Sequence, residues 1–174
     1  LLFFAPLLAG VSLSGWTDAR KHLVPNVLTL PVLLVGSLCQ VCRGSWQDLV
    51  WGLAVGGGLG FAAWLAGGLG GGDMKLMAAV GAWLGPRGSL DVFLVAAVIG
   101  AAWGAAKLAR LGLLKQRMLT FVRGLYLLPA VGLKGMALPK LPENPADPVP
   151  PDAVPFGACI ALAVWLYALR GMWG

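Results

Sequence analysis

Two aspartates are set apart by their surroundings. Asp18 closes an apolar run in SGWTDARKHLVPN, and Asp73 follows three consecutive glycines in GLGGGDMKLMAAVGAWLG. The chain has seven acidic residues, few enough to account for one at a time. Asp48 follows Ser45, and Asp91 follows Ser89, each at the expected outer start of an apolar segment; the free amides and dipole of a helix N-terminus explain both. Glu143, Asp147 and Asp152 fall in a proline-rich stretch and read as solvated.

Asp18 and Asp73 remain. Taken singly, each has an ordinary explanation: Asp73 as a helix cap, Asp18 as an ion-pair partner of Arg20 or Lys21. Taken together they could do chemistry. Two carboxylates sharing a low-dielectric site do not both ionise easily, so one keeps a proton while the other stays charged. The charged member can take a proton from a water, and the protonated member can donate to a carbonyl oxygen. That hydrolyses an amide without a nucleophilic side chain or a metal. Such a pair titrates as a unit, so the sequence does not assign acid and base. The same two acids would also suit a transporter or channel that binds a cation or relays protons. A non-catalytic scaffold would need neither.

The elements that must position these acids are membrane helices. Hydrophobic residues make up 59% of the 174 positions and charged residues 11%, with mean hydropathy +0.82, well outside the balance of a soluble domain. Apolar runs recur to the last residue, which excludes a secreted protein with a single leader. Leu1 is not an initiator, so a few residues are expected before it. The net charge of +6 does not point to nucleic acid, because the basic residues sit between apolar runs and form no solvated stripe.

Six apolar segments can be marked, at roughly 1–17, 27–42, 47–69, 73–86, 90–107 and 154–172. Each is long enough, or nearly so, to span a hydrocarbon core of about 30 Å. The expectation is an all-α polytopic membrane protein, one domain over 1–174, with about six transmembrane helices. Ten of the basic residues fall on one side of such a path: Arg20, Lys21, Lys75, Lys107, Arg110, Lys115, Arg117, Arg123, Lys134 and Lys140. Arg43, Arg87 and Arg170 fall on the other. Cytoplasmic loops hold the excess, so both termini are expected outward, with Trp46, Trp83 and Trp173 near the outer interface. Asp18 and Asp73 then both lie on the inner side, although neither entered the count. The run from Asp73 to Pro86 covers only about 20 Å, which puts Asp73 below the inner surface, where an ionisable residue is a functional candidate.

Other features carry less. Gly52, Gly56 and Gly60 recur every four residues and read as a face for close helix packing. Gly70, Gly71 and Gly72 allow a substrate strand or a neighbouring helix to approach Asp73. Lys75 and Arg20 lie two positions from an aspartate, and positions i and i+2 face different ways; they are expected to hold loops, meet lipid phosphates or touch substrate. His22 reads as a solvated surface histidine. Cys39 and Cys42 form a CxxC that lacks the ligands for structural zinc and read as packed thiols. Residues 113–128 suit an amphipathic helix on the inner leaflet, and 139–153 an extended proline-rich connector.

Gly70-Gly71-Gly72-Asp73 fits a GxGD pattern, and Met74-Lys75 extends it to GxGDxK. In this the chain resembles the type IV prepilin peptidases, membrane aspartic proteases that remove leaders from pilin precursors. Asp18-Ala19-Arg20 followed by Val24-Pro25-Asn26 resembles the family's stretch of aspartate, basic residue and aliphatic-Pro-Asn. Val154-Pro155-Phe156-Gly157-Ala158 resembles the opening of its last helix. The resemblance implies Asp18 and Asp73 as the catalytic pair, with Gly70, Gly72, Lys75, Arg20, Pro25 and Asn26 binding substrate or shaping the site. It implies no cofactor, no metal and no nucleic acid. The implied substrate is a pilin precursor with a short basic leader, a glycine before the cut and an apolar helix held among membrane lipids. The implied location is the bacterial cytoplasmic membrane, with the site toward the cytoplasm. Bifunctional members carry a domain with paired CxxC motifs between the first two helices and also N-methylate the new terminus. Here that loop is short and the CxxC falls near the opposite face, so the chain resembles the short form, closer to the peptidases of tight-adherence (Flp) pili or of preflagellins. The Pro-Ala-Leu motif of presenilin-like proteases is absent; Pro129-Ala130-Val131 comes nearest.

Overall fold

The structure, a computed structural model, describes residues 4–21, 24–65, 69–113, 119 and 154–173. His22, the connector 139–153 and all of 113–128 but Leu113 and Leu119 lie outside the described residues. The regular structure described is helical throughout: α1 is Ala5–Lys21, α2 Asn26–Cys42, α3 Trp46–Leu65, α4 Gly71–Arg110 and α5 Phe156–Trp173.

The fourth and fifth apolar segments join into the single long run of α4, broken at Gly85 with φ 69° and ψ −172°. That region is open essentially only to glycine. Pro86 comes next and opens the second arm, a position where its missing N–H costs nothing. This corrects two expectations. The first arm ends at Gly85, so Pro86 belongs to the second arm and not to the end of the first. Asp91 therefore lies exposed inside the second arm and does not cap its start.

Side-chain pairings give the directions of the helices. Gly52, Gly56 and Gly60 on α3 meet Gly81, Met77 and Met74 in that order, so α3 runs antiparallel to the first arm of α4. A Cβ on Gly52 would strike the carbonyl of Gly81, and the converse holds, so the two backbones lie almost in contact. α2 runs parallel to the first arm: Asn26 meets Lys75 near their starts, and Gln40 donates to the Trp83 carbonyl near their ends, at 3.2 Å. α5 is antiparallel to α1, pairing Ser12 with Trp165 and Gly15 with Ala161. It is also antiparallel to the second arm, with Gly88 beside Tyr167, Gly100 beside Phe156 and Gly104 beside Val154. The first arm of α4 thus begins, and the second ends, at the same end of the bundle, and the chain reverses at Gly85.

Trp83 departs from its expected interfacial place. It is only 3% exposed, lies against Gly36 and donates from Nε1 to the Val32 carbonyl at 2.8 Å. The absent side chain of Gly36 makes room for the indole, which ties α4 to α2 in the interior. The buried core is otherwise small and aliphatic, with Leu7, Val11, Leu76, Met77, Val80, Val92, Ile160 and Val164 packed together.

The outside is more apolar than the outside of a soluble protein. Val27 is 80% exposed and Val98 70%, and Trp51, Leu34, Leu94 and Leu166 are each more than half exposed. Two described helices, α3 and α4, are long and apolar enough to cross a membrane. Large side chains outside and small residues at helix contacts form the pattern expected in lipid, where close packing and not water exclusion joins helices.

Candidate active site

Asp18 and Asp73 come from helices whose directions bring them to the same end of the bundle. Asp18 lies in the last turn of α1, and Asp73 in the first turn of α4. Both are buried, at 4% and 5% exposure, unlike Asp48 and Asp91, which are exposed.

The first turn of α5 lies against both. The Ala158 N–H donates to Asp18 Oδ2 at 3.3 Å. A Cβ built on Gly157 would stand 3.0 Å from Asp18 Oδ2 and 2.9 Å from Asp73 Oδ1. The two oxygens therefore lie no farther apart than those two distances laid end to end. Both border one point where a side chain is missing.

Asp73 has both an ordinary role and an unexplained one. The helix begins after Gly70, and Asp73 reaches back so that Oδ2 accepts the Gly70 N–H at 3.3 Å. This is half of a capping box, since glycine has no side chain to complete it. The other oxygen, Oδ1, is buried and has no hydrogen-bond partner among the described residues. Capping uses one oxygen and leaves the second buried beside the Gly157 position that Asp18 Oδ2 also borders.

The remaining residues singled out in the sequence divide by position. Gly70 supplies the donor just described. Gly72 is covered by Val24, whose Cβ lies 2.7 Å from where a Gly72 Cβ would be, so the link between α1 and α2 rests on the start of α4. Pro25 is the N-cap of α2. Asn26 Oδ1 accepts from Lys75 Nζ at 2.9 Å on the exposed rim. Arg20 sets its guanidinium carbon 4.3 Å from the centre of the Trp16 ring.

Three neighbours had no role assigned from sequence: Gly157, Ala158 and Val24. Val24 Cγ2 is 3.0 Å from the Gly157 Cβ position, which makes it an apolar wall beside the acids. The motif around Gly157 is visible in sequence as a helix opening, but only the packing of α5 against α1 shows that it lies beside both carboxylates. Cys39 and Cys42 are free thiols at the far end of α2. Cys159, also free, is buried in α5 with Sγ 3.5 Å from the Pro155 carbonyl.

Buried side by side, two carboxylates of this kind can hold a water and share its protons, the arrangement of aspartic hydrolysis.

Comparison with known proteins identifies the family. Residues 4–105 match the profile of the type IV leader peptidase family. A prepilin leader peptidase/N-methyltransferase of Xanthomonas campestris pv. campestris is 39% identical over 105 residues, covering 55% of this chain and 36% of that protein. One of Escherichia coli is 38% identical over 92 residues, covering 48% of this chain and 40% of its own. The leader peptidase HopD of Salmonella typhimurium is 39% identical over 109 residues, covering 56% of this chain and 70% of its own. The chain thus matches little more than a third of the length of the Xanthomonas protein. No solved structure matches significantly.

Proposed function

Because the chain belongs to the type IV leader peptidase family, we propose that it is a membrane aspartic endopeptidase that removes the short basic leader from a pilin precursor at the cytoplasmic face. The observation that carries this reading is Asp73 Oδ1, a buried carboxylate oxygen without a partner among the described residues that borders the same point at Gly157 as Asp18 Oδ2. A structural acid would use both oxygens; this one keeps an oxygen for something that arrives.

In the mechanism one carboxyl holds a proton and the other is ionised. The ionised member takes a proton from a water between them as that water attacks the scissile carbonyl carbon. The protonated member donates to the carbonyl oxygen, and a tetrahedral diol forms. Collapse of the diol breaks the C–N bond, and the amine leaves with a proton from the dyad. Asp18 and Asp73 alternate as acid and base through one turnover.

The membrane arrangement accords with the same reading. Counting the two arms of α4 separately, six helices span the bilayer with both termini outward. Arg20, Lys75, Lys107 and Arg110 share the end of the bundle that holds the acids, while Arg43, Arg87 and Arg170 share the other, the asymmetry expected when the first end is cytoplasmic. The link between α1 and α2 is only residues 22–25, which supports the short form found in tight-adherence (Flp) systems and leaves no inserted domain for methyl transfer at that point.

The test is purified protein in detergent with a full-length Flp-type pilin precursor. Wild-type protein should cut at the leader junction, and Asp18→Asn or Asp73→Asn should each abolish the cut while the protein stays folded. Cleavage that survives either change overturns the aspartic mechanism. Ion flux in proteoliposomes that depends on both acids, without cleavage, would establish a transporter instead.

A further inference from the structure

Gly157 is in the first turn of α5, and nothing about its backbone requires glycine. Among the described residues the positive φ values belong to Gly44, Gly85 and Gly112, and helix propensity alone would favour alanine at position 157. The requirement is spatial. A methyl group there would lie 2.9 Å from Asp73 Oδ1, 3.0 Å from Asp18 Oδ2 and 3.0 Å from Val24 Cγ2, all inside the usual carbon contact distance. The helix also has little freedom to move away. Phe156 packs against Phe93, with ring centres 6.5 Å apart, and lies 3.2 Å from the Cβ position of Gly100. Ala161 is 2.8 Å from the Cβ position of Gly15 on α1, so α1 and α5 already touch along their backbones.

We propose that Gly157 is a positioning residue of the dyad: its missing side chain is the gap across which Asp18 and Asp73 face each other and into which the reacting group fits. The proposal rests on the peptidase reading above. A methyl at this point would separate the two oxygens and disturb the Ala158 N–H that holds Asp18. It would leave the more distant substrate contacts alone, so its cost should fall on kcat and not on KM.

The experiment is Gly157→Ala, assayed as purified full chain with the same precursor. The expected result is a kcat lower by about 100-fold, the scale of a 1 Å misplacement, with KM changed by no more than about threefold. The Val24→Ala background separates the acids from simple crowding against valine. Alanine at position 157 should cost the same factor in that background, and restored activity would overturn the proposal. Thermal unfolding supplies a readout independent of catalysis: Gly157→Ala should lower the melting temperature in the wild-type chain and lower it much less beside Asp73→Ala, where the carboxylate is gone. Equal shifts in both backgrounds, or failure to fold in both, would place the conflict elsewhere and overturn it. If Asp18→Asn and Asp73→Asn still cleave, the peptidase reading itself fails. If they do not cleave while Gly157→Ala cleaves normally, only the role of Gly157 is lost.

Discussion

At the scale of single residues, an aspartate is informative when it is buried and only partly used. Capping accounts for Asp73 Oδ2 and leaves Oδ1 without a partner among the described residues, so replacing the acid separates structure from chemistry. Asp73→Asn preserves an oxygen for the cap. Its loss of cleavage should therefore come with a small change in melting temperature, equivalent to about 1 kcal/mol or less, the worth of one hydrogen bond; unfolding of the variant would show that the acid is structural. Ser14 offers a contrast one turn before Asp18 on α1. Its Oγ is buried without a partner among the described residues, and burying an unsatisfied hydroxyl is unfavourable. Ser14→Ala should leave the melting temperature equal or higher in thermal unfolding, and a clear drop would mean that the hydroxyl has a partner in the membrane. The two acids can be picked out from sequence because the chain has so few and the other five admit simple explanations, although the capping given for Asp91 gives way to plain exposure inside the second arm of α4. Gly157 cannot be picked out as part of the site, because a glycine in an apolar helix looks the same whether it faces lipid, a helix or a carboxylate.

At the scale of elements, what brings the acids together is a set of close helix contacts made by residues without side chains. The spacing of Gly52, Gly56 and Gly60 is readable as a packing face, and Gly81 and Gly85 on α4 recur at the same interval, but nothing in the sequence says that these two faces meet. Gly81→Leu must force the α3 and α4 backbones apart and should cost about 3 kcal/mol or more, since overpacking against main chain has no rotamer that relieves it; unfolding in detergent measures this. Trp83→Phe keeps the bulk against Gly36 and removes the bond from Nε1 to the Val32 carbonyl. The expected loss is about 1 kcal/mol, with kcat of the folded fraction unchanged. A fall in kcat would mean that the α2 contact controls the acids at a distance. The inward place of Trp83 is not legible in sequence because an indole near the end of an apolar segment suits the interface equally well. Only its neighbour Gly36, on another helix, decides between them.

At the scale of the whole molecule, the all-helical character can be read from the apolar runs, and the reversal at Gly85 agrees with two segments there. Which helices touch cannot be read, because in lipid the outward faces are as apolar as the inward ones and periodicity gives little guidance. The native thiols test the arrangement directly. Cys42 is exposed at the end of the bundle away from the acids, Cys39 is half-buried and Cys159 is buried. A membrane-impermeant maleimide added to the outer face of intact spheroplasts should label Cys42 and leave Cys159 unlabelled until the protein is denatured. Labelling of Cys42 only from the cytoplasmic face would invert the proposed orientation.

The central claim is that two distant acids act as one catalytic unit, and the direct measurement is a double-mutant cycle on cleavage rate with Asp18→Asn, Asp73→Asn and both together. Residues that act as a unit are strongly non-additive. The account predicts that either single change removes nearly all activity and that the second adds little, so the three variants share one residual rate. Losses that multiply, or a single variant that keeps near-normal turnover, would contradict it.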